Sequence, residues 1–289
     1  MKILKHIGRI AVVTMSIPMM SMAAESNRDK ATRLNDEGVK MMQAQDYRGA
    51  IERFKEALDA SPDCVSAARN VGKLLIMGLK YQEAADILEK TLKVVPNDSG
   101  CLVQMAQVCA ILGATDKSIK CIEKVADAED KSILRGLTAL LLKQRSLKEA
   151  AVASEISIAK EPKCPEAWFN RGLVADAVKN VEIAGQSYER AVSLDPKYAD
   201  AWVNLGNLHK REKNDSDALI CYEKAYDAKK YPLSAYNLGK ELVTSRKDVS
   251  RGLDLLNEAA QGDGVAAQQA RTLINRMVDL LEDRKGGAK

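Results

Sequence analysis

The sequence predicts an all-α protein: an α-solenoid of about seven stacked helix-turn-helix repeats, closed by a C-terminal capping helix. Three observations carry this. Aromatic residues make up only 4% of the 289 residues, while Ala, Leu, Lys and Glu recur throughout, a composition of helix formers. Prolines recur at a fixed interval: Pro62 to Pro96 is 34 residues, Pro162 to Pro196 is 34, and Pro96 to Pro162 is 66, two periods short by two. Between them, Gly and Ala return at fixed places. No Gly-, Ser- or Pro-rich linker divides the chain, and 46% hydrophobic residues suffice to build a core.

The first element differs from the rest. "MKILKHIGRI" carries Lys2, Lys5 and Arg9, "AVVTMSIPMM" is apolar, and "SMAAES" offers small residues for cleavage. This is the three-part plan of a secretory signal, expected over residues 1–23 with a cut after Ala23. The apolar stretch from Ile10 to Met20 is shorter than the ~20 residues of a membrane span and is interrupted by Pro18. The mature chain is therefore expected to be exported, periplasmic or secreted if bacterial, without a membrane span; an uncleaved N-terminal anchor is the alternative. Removing three of the 44 basic residues and none of the 40 acidic ones leaves a formal charge of +1. Nothing remaining resembles the basic stripe of a nucleic-acid binder.

After a short segment, 24–30, the repeats are expected at 31–64, 65–98, 99–130, 131–164, 165–198, 199–231 and 232–264. The fifth, "AWFNRGLVADAVKNVEIAGQSYERAVSLDP", places Trp168, Gly172, Ala184, Tyr188, Ala191 and Pro196 at the fourth, eighth, twentieth, twenty-fourth, twenty-seventh and thirty-second positions. This pattern and the period of 34 resemble the tetratricopeptide repeat family. The sixth unit matches through Trp202, Leu205, Gly206, Ala218, Tyr222 and Ala225, with Lys230 in place of Pro. The first two match through Gly38, Ala50, Phe54, Ala57 and Pro62, and through Gly72, Ala84, Leu88 and Pro96, without the Trp.

Each unit is expected to be one antiparallel helical hairpin. Small residues at the eighth and twentieth positions let the helices approach, larger ones fill the space around them, and Pro ends the second helix. The turns are expected at Asp46-Tyr47, Lys80-Tyr81, Asn180-Val181 and Asn214-Asp215. The third and fourth units are degenerate: Ala106, Ser118 and Ile122, then Thr138, replace the pattern residues. The two missing residues fall around "DAEDKS", 127–132, where a tighter or bent junction is expected. In the seventh unit Gly252 follows Gly239 by thirteen residues instead of twelve, and "NEAAQGDGVAAQQA" resembles the ending of a Sel1-like repeat, a relative of the same class. Residues 265–283 carry Ala266, Ala270, Leu273, Met277 and Leu281 on one stripe, as a capping helix would. A flexible tail, 284–289, is expected to follow.

No catalytic constellation, metal-ligand spacing or phosphate loop is present in the sequence, so no enzyme activity, cofactor, metal or small-molecule substrate is expected. His209 is the one histidine outside the leader, in a slot usually used for packing. The six cysteines, Cys64, Cys101, Cys109, Cys121, Cys164 and Cys221, form no Cys-x-x-Cys pair and read mainly as small buried residues. The one pairing the repeat frame suggests is Cys101 with Cys121.

First helices line the concave side of such an array, and the family resemblance implies that the groove holds a peptide. Its sixth positions are Asp36, Asn70, Gln104, Gly136, Asn170, Asn204 and Asn237. A row of amides can match the alternating N–H and C=O of an extended peptide, although such asparagines also recur in the family simply as part of the repeat. Gly136 would split the row. Asn207, Lys210 and Lys240 fall near Asn204 and Asn237, while Arg69 and Lys73 flank Asn70; these cations would attract an acidic segment or a terminal carboxylate. The family's dicarboxylate clamp also needs a lysine where Val203 stands, which argues against that specificity. The function expected is an exported scaffold or adaptor that binds a protein or extended peptide in its groove. The alternative is a structural subunit of a cell-envelope complex, held by its convex face or end caps.

Overall fold

The computed structural model describes residues 25–286, with side chains up to Asp279. The expected leader, 1–23, and residues 287–289 of the expected tail lie outside the described residues. The described residues form fifteen α-helices and no strand. The first eight are α1 (Asn27–Gln43), α2 (Tyr47–Ala60), α3 (Val65–Met77), α4 (Tyr81–Val94), α5 (Ser99–Ile111), α6 (Thr115–Val125), α7 (Ser132–Lys143) and α8 (Leu147–Lys160). They are followed by α9 (Pro165–Ala177), α10 (Val181–Leu194), α11 (Ala199–Arg211), α12 (Asp215–Ala228), α13 (Pro232–Thr244), α14 (Val249–Gln261) and α15 (Val265–Gly286). Each odd helix packs on the even helix after it, giving seven hairpins, and α15 closes the array against α13 and α14. Residues 27–30 belong to α1, where Ser26 accepts from the Asp29 amide as N-cap, and α15 extends past the expected boundary at 283.

Every hairpin turns the same way. The fifteenth residue of each unit is left-handed: Gln45, Leu79, Gly113, Arg145, Lys179, Lys213 and Arg246 have φ between 56° and 75°. Only one is glycine, so six L-residues hold a conformation that costs them roughly 1–2 kcal/mol. The next residue, or in the seventh hairpin the one after it, caps the second helix, and Asp46, Asn180, Asn214 and Asp248 do so through the side chain. The second helices of the Pro-ended units stop two residues before Pro62, Pro96, Pro162 and Pro196, because the residue ahead of proline disfavours helix. Trp168 and Trp202 then donate their indole N–H to the carbonyls of Pro162 and Pro196, at 2.9 and 3.0 Å, fastening each unit to the one before.

Within the hairpins, residue size at the eighth position trades against size at the twenty-fourth. Gly38, Gly172 and Gly206 face the rings of Phe54, Tyr188 and Tyr222, leaving no room for a β-carbon. Where the eighth residue is Ala106 the partner is Ile122; where it is Thr138 the partner is Ser154, and all four are buried. Ala50, Ala84, Ser118, Ala150, Ala184 and Ala218, at the twentieth position, are fully buried. Gly239 and Gly252 meet so closely that a β-carbon on Gly239 would lie 2.8 Å from the Gly252 carbonyl, which is the use of the thirteen-residue interval. On α15, Ala270 is buried and Leu273 and Met277 are half-buried on the expected stripe, while Ala267 is buried in place of Ala266.

Consecutive first helices touch, as α3 with α5 and α5 with α7, while second helices stay apart. The inner wall is therefore the shorter one, and the first helices line the concave side. The exception is α6 with α8, the one close pair of consecutive second helices, at the unit shortened by two residues. Here α6 has 11 residues against 14 in the other second helices from α2 to α12, and Lys131 Nζ donates to the carbonyls of Ala126 and Ala128, at 3.3 and 2.6 Å, across a junction that lacks the proline of the better-matched units. The junction is tighter, as the lost residues require.

The cysteines are all free. Cys101 packs beside Arg69 and Asp98, and burial with the Asp98 carboxylate pushes its thiol up to about 12. Cys121 instead lines a cleft against α4, with burial and then Cys109 pushing it up to about 11. The expected Cys101–Cys121 pairing is not formed: the third-position thiol faces the preceding first helix, whereas the twenty-third-position thiol faces outward between second helices.

Candidate functional site

Five of the nine residues singled out in the sequence meet around one cavity. Asn204, Asn207, Asn237, Lys210 and Lys240 line a concave space of about 410 Å³ together with Asp176, Arg211, Tyr222 and Glu241. Its walls are the inward faces of α9, α11 and α13, plus one ring from α12. Asn70, Asn170, Arg69 and Lys73 are not part of it. Gly136, at the sixth position between them, is exposed with nothing within 4 Å of where a β-carbon would be, so the amide row is interrupted in space as well as in sequence.

The sixth-position amides have partners that sequence position did not reveal. Gln104 Nε2 donates to the Arg69 carbonyl at 2.9 Å, and Asn170 Nδ2 donates to the Arg135 carbonyl at 3.3 Å. Both acceptors sit at the fifth position of the preceding unit, so these amides tie first helices together. Asn70 Nδ2 does the same with the Asn35 side chain at 3.1 Å. Asn204 turns back onto its own helix, donating to the Asp200 carbonyl at 2.8 Å. Asn237 Nδ2 is enclosed with no partner among the described residues. Asn207 is exposed and accepts the Tyr222 hydroxyl at 2.8 Å through Oδ1, which leaves its amide N–H groups for the cavity.

The cations divide likewise. Arg69 is not a free groove charge: it forks onto Asp98, the N-cap of α5, with Nε 2.9 Å from Oδ1. Burial pushes the Asp98 carboxyl up, but the Arg69 guanidinium and the Cys101 amide outweigh it and hold the group below the usual range. Lys210 is also held, 2.7 Å from Asp215 Oδ1 and 2.9 Å from Glu241 Oε2, and these carboxylates raise its ammonium above the ordinary lysine range against its own desolvation. Glu241 is 4% exposed, so the buried carboxylate accounts for the lysine's position. Lys73 and Lys240 are exposed and have no carboxylate partner among the described residues; Lys240 lies 5.7 Å over the Tyr236 ring.

Sequence reasoning passed over Asp176, Arg211, Tyr222 and Glu241. Arg211 Nη2 lies 2.5 Å from Asp176 Oδ1, across 35 residues. Opposite charges about one period apart at the end of consecutive first helices were the signal available. After these internal pairs, the cavity presents the Asn207 amide, the Asn204 carbonyl oxygen and the Lys240 ammonium. That set suits main-chain N–H and C=O groups with one nearby negative charge. Among the described residues there is no group of three or more His, Cys, Asp or Glu side chains that could hold a metal ion, and no helix long and apolar enough to cross a membrane.

Two tetratricopeptide repeat family models match the chain, one over residues 38–99 and 137–198, the other over 187–220, together about half of it. No curated protein sequence matches it. Among solved structures the chain is similar to yeast Tom70, at 18% identity and TM-score 0.51, covering 89% of this chain and 55% of that one. It is also similar to the human IFIT1 dimer with PPP-AAAA, at 14% identity and TM-score 0.51, covering 89% and 65%. A tetratricopeptide repeat protein from Parabacteroides merdae is similar at 15% identity and TM-score 0.48, covering 85% and 98%. The chain thus spans little more than half the length of Tom70, and at these identities the likeness concerns the fold. The matched repeats, the seven hairpins and the small-against-large packing at each crossing agree, and the chain belongs to the tetratricopeptide repeat family.

Proposed function

We propose that this protein is an exported interaction scaffold that holds an extended peptide segment of a partner at the C-terminal part of its concave groove. The observation that carries this is the convergence of Asn204, Asn207, Asn237 and Lys240 on one cavity of about 410 Å³. The Asn207 amide and the Asn204 carbonyl oxygen are left for a main chain lying there, and Lys240 supplies a charge that the fold leaves unpaired. An acidic residue or a terminal carboxylate satisfies it. Asn70, Asn170 and Arg69 serve the packing of repeats in this reading, and Lys73 is a peripheral contact. Membership of a family of interaction scaffolds supports a protein partner over catalysis. The last unit is of the Sel1-like kind, with its Gly239–Gly252 crossing shaping the far wall of the cavity.

The test is crosslinking in the native compartment with mass-spectrometric identification of the captured protein. Replacing Asn207 and Lys240 together by Ala leaves the internal ion pairs intact and should abolish capture. Unchanged capture by this variant, and by Asn204→Ala with Asn237→Ala, would reject the groove as the binding face. Export rests on the leader pattern, and N-terminal sequencing of the native protein should begin near Ala24.

A further inference from the structure

The convex side carries a second feature, apart from the groove. Between α4 and α6 lies a cleft of about 210 Å³ whose floor is apolar: Leu92 from α4, Leu102 and Met105 from α5, and Cys121 from α6. Its rim is basic, with Lys117, Lys120 and Lys124 spaced along α6 facing the single carboxylate of Glu89. Glu89 is shared between Lys93 at 3.7 Å and Lys117 at 4.0 Å, so Lys120 and Lys124 have no carboxylate partner among the described residues. The cleft one repeat earlier, between α2 and α4, differs: Lys55 and Lys90 there face Asp59, Glu83 and Asp86, which balance them. On the other flank α6 packs against α8, closing the next gap between second helices. The result is a short, dead-ended, basic-rimmed pocket at the one irregular junction of the array.

We propose that this cleft docks an acidic segment of a partner protein that inserts one apolar side chain. Its volume decides against a whole small molecule, since such sites span roughly 300–1,000 Å³. A single buried anchor with a polar rim is the usual form of a protein-binding hot spot, and the lysine rim selects the sign of the flanking residues. The surface is independent of the groove, so both can be occupied together.

The experiment uses a short fluorescein-labelled peptide with one leucine between aspartates and glutamates, titrated with the leaderless protein by fluorescence anisotropy. Saturable binding is expected, weakened about tenfold or more by Lys120→Glu with Lys124→Glu, both exposed positions outside the core. It should be lost when the leucine is replaced by serine and unaffected by Asn207→Ala with Lys240→Ala. Equal binding of the leucine-free peptide, indifference to the double charge reversal, or sensitivity only to the groove variant would each overturn the proposal. So would two other occupants: self-association in sedimentation that the lysine reversal abolishes, or lysine-dependent binding to phosphatidylserine vesicles without peptide binding.

Discussion

The trade of size between eighth and twenty-fourth positions makes one substitution change sign along the chain. At Gly38 an added methyl group would lie 2.6, 2.8 and 3.0 Å from Cε1, Cδ1 and Cζ of Phe54. Carbon atoms rest about 3.5–4.0 Å apart, so the ring must retreat by about 1 Å. Phe54 is 0% exposed, with no space to retreat into. Such overpacking costs about 1–3 kcal/mol, while replacing glycine by alanine inside a helix gains about 1 kcal/mol, so Gly38→Ala should destabilise by up to about 2 kcal/mol. At Gly136 the same change meets nothing within 4 Å and only the gain remains. The two variants should therefore differ by about 1–3 kcal/mol. Urea unfolding followed by far-ultraviolet circular dichroism reads this, provided the slopes stay unchanged, because a repeat array can unfold in stages. Adding Phe54→Ile to Gly38→Ala recreates the Ala106–Ile122 pairing and should recover part of the loss. If the alanines at 38 and 136 proved equally stable, or the double variant merely additive, the size argument would fail.

Relief of a left-handed residue should also register: Leu79, 71% exposed at φ 58°, gains about 0.5–1 kcal/mol on replacement by Gly, seen as a higher urea midpoint. Gln104→Ala removes the bond to the Arg69 carbonyl and should cost about 1 kcal/mol, whereas Asp36→Ala at the same repeat position, exposed, should cost less than about 0.5 kcal/mol; equal effects would contradict the tie between first helices. Asp98→Asn keeps a capping side chain but loses the charge facing Arg69, at a cost of about 1 kcal/mol at neutral pH. Because the Asp98 carboxyl is held below its unfolded value, its contribution is complete above about pH 4 and is lost as pH falls through the lower folded value. The gap between wild type and this variant should close in acid, and a gap constant from neutral pH to pH 2 would rule the ion pair out.

Much of the fold was legible because a fixed period constrains both ends of each hairpin. Pro62, Pro96, Pro162 and Pro196 marked the ends of second helices, and the turns fell at Asp46, Lys80, Asn180 and Asn214, each of which caps the helix that follows. The gap of 66 residues located the tight junction, where α6 meets α8. The candidate site was legible in part: Asn204, Asn207, Asn237, Lys210 and Lys240 share a cavity, as their common face on first helices implies. Arg69 and Lys210 were misjudged as available charges, since Asp98, 29 residues on at the cap of the next unit's first helix, and Glu241, 31 residues on in the next unit, hold them.

By itself the sequence determined the repeat register, and with it the class of fold, the hairpin contacts and the face on which each residue lies. A hairpin is local: its partners are 12 or 16 residues apart, and the sizes of Gly38 and Phe54 or of Ala106 and Ile122 state their own contact. Only the tertiary structure decided which amide bonds a neighbouring helix and which remains for a ligand. Asn170 and Asn204 occupy the same repeat position, yet one reaches the preceding unit and the other the Asp200 carbonyl of its own helix. That difference depends on the offset and tilt between stacked units, which the packing of whole helices sets and no single residue encodes.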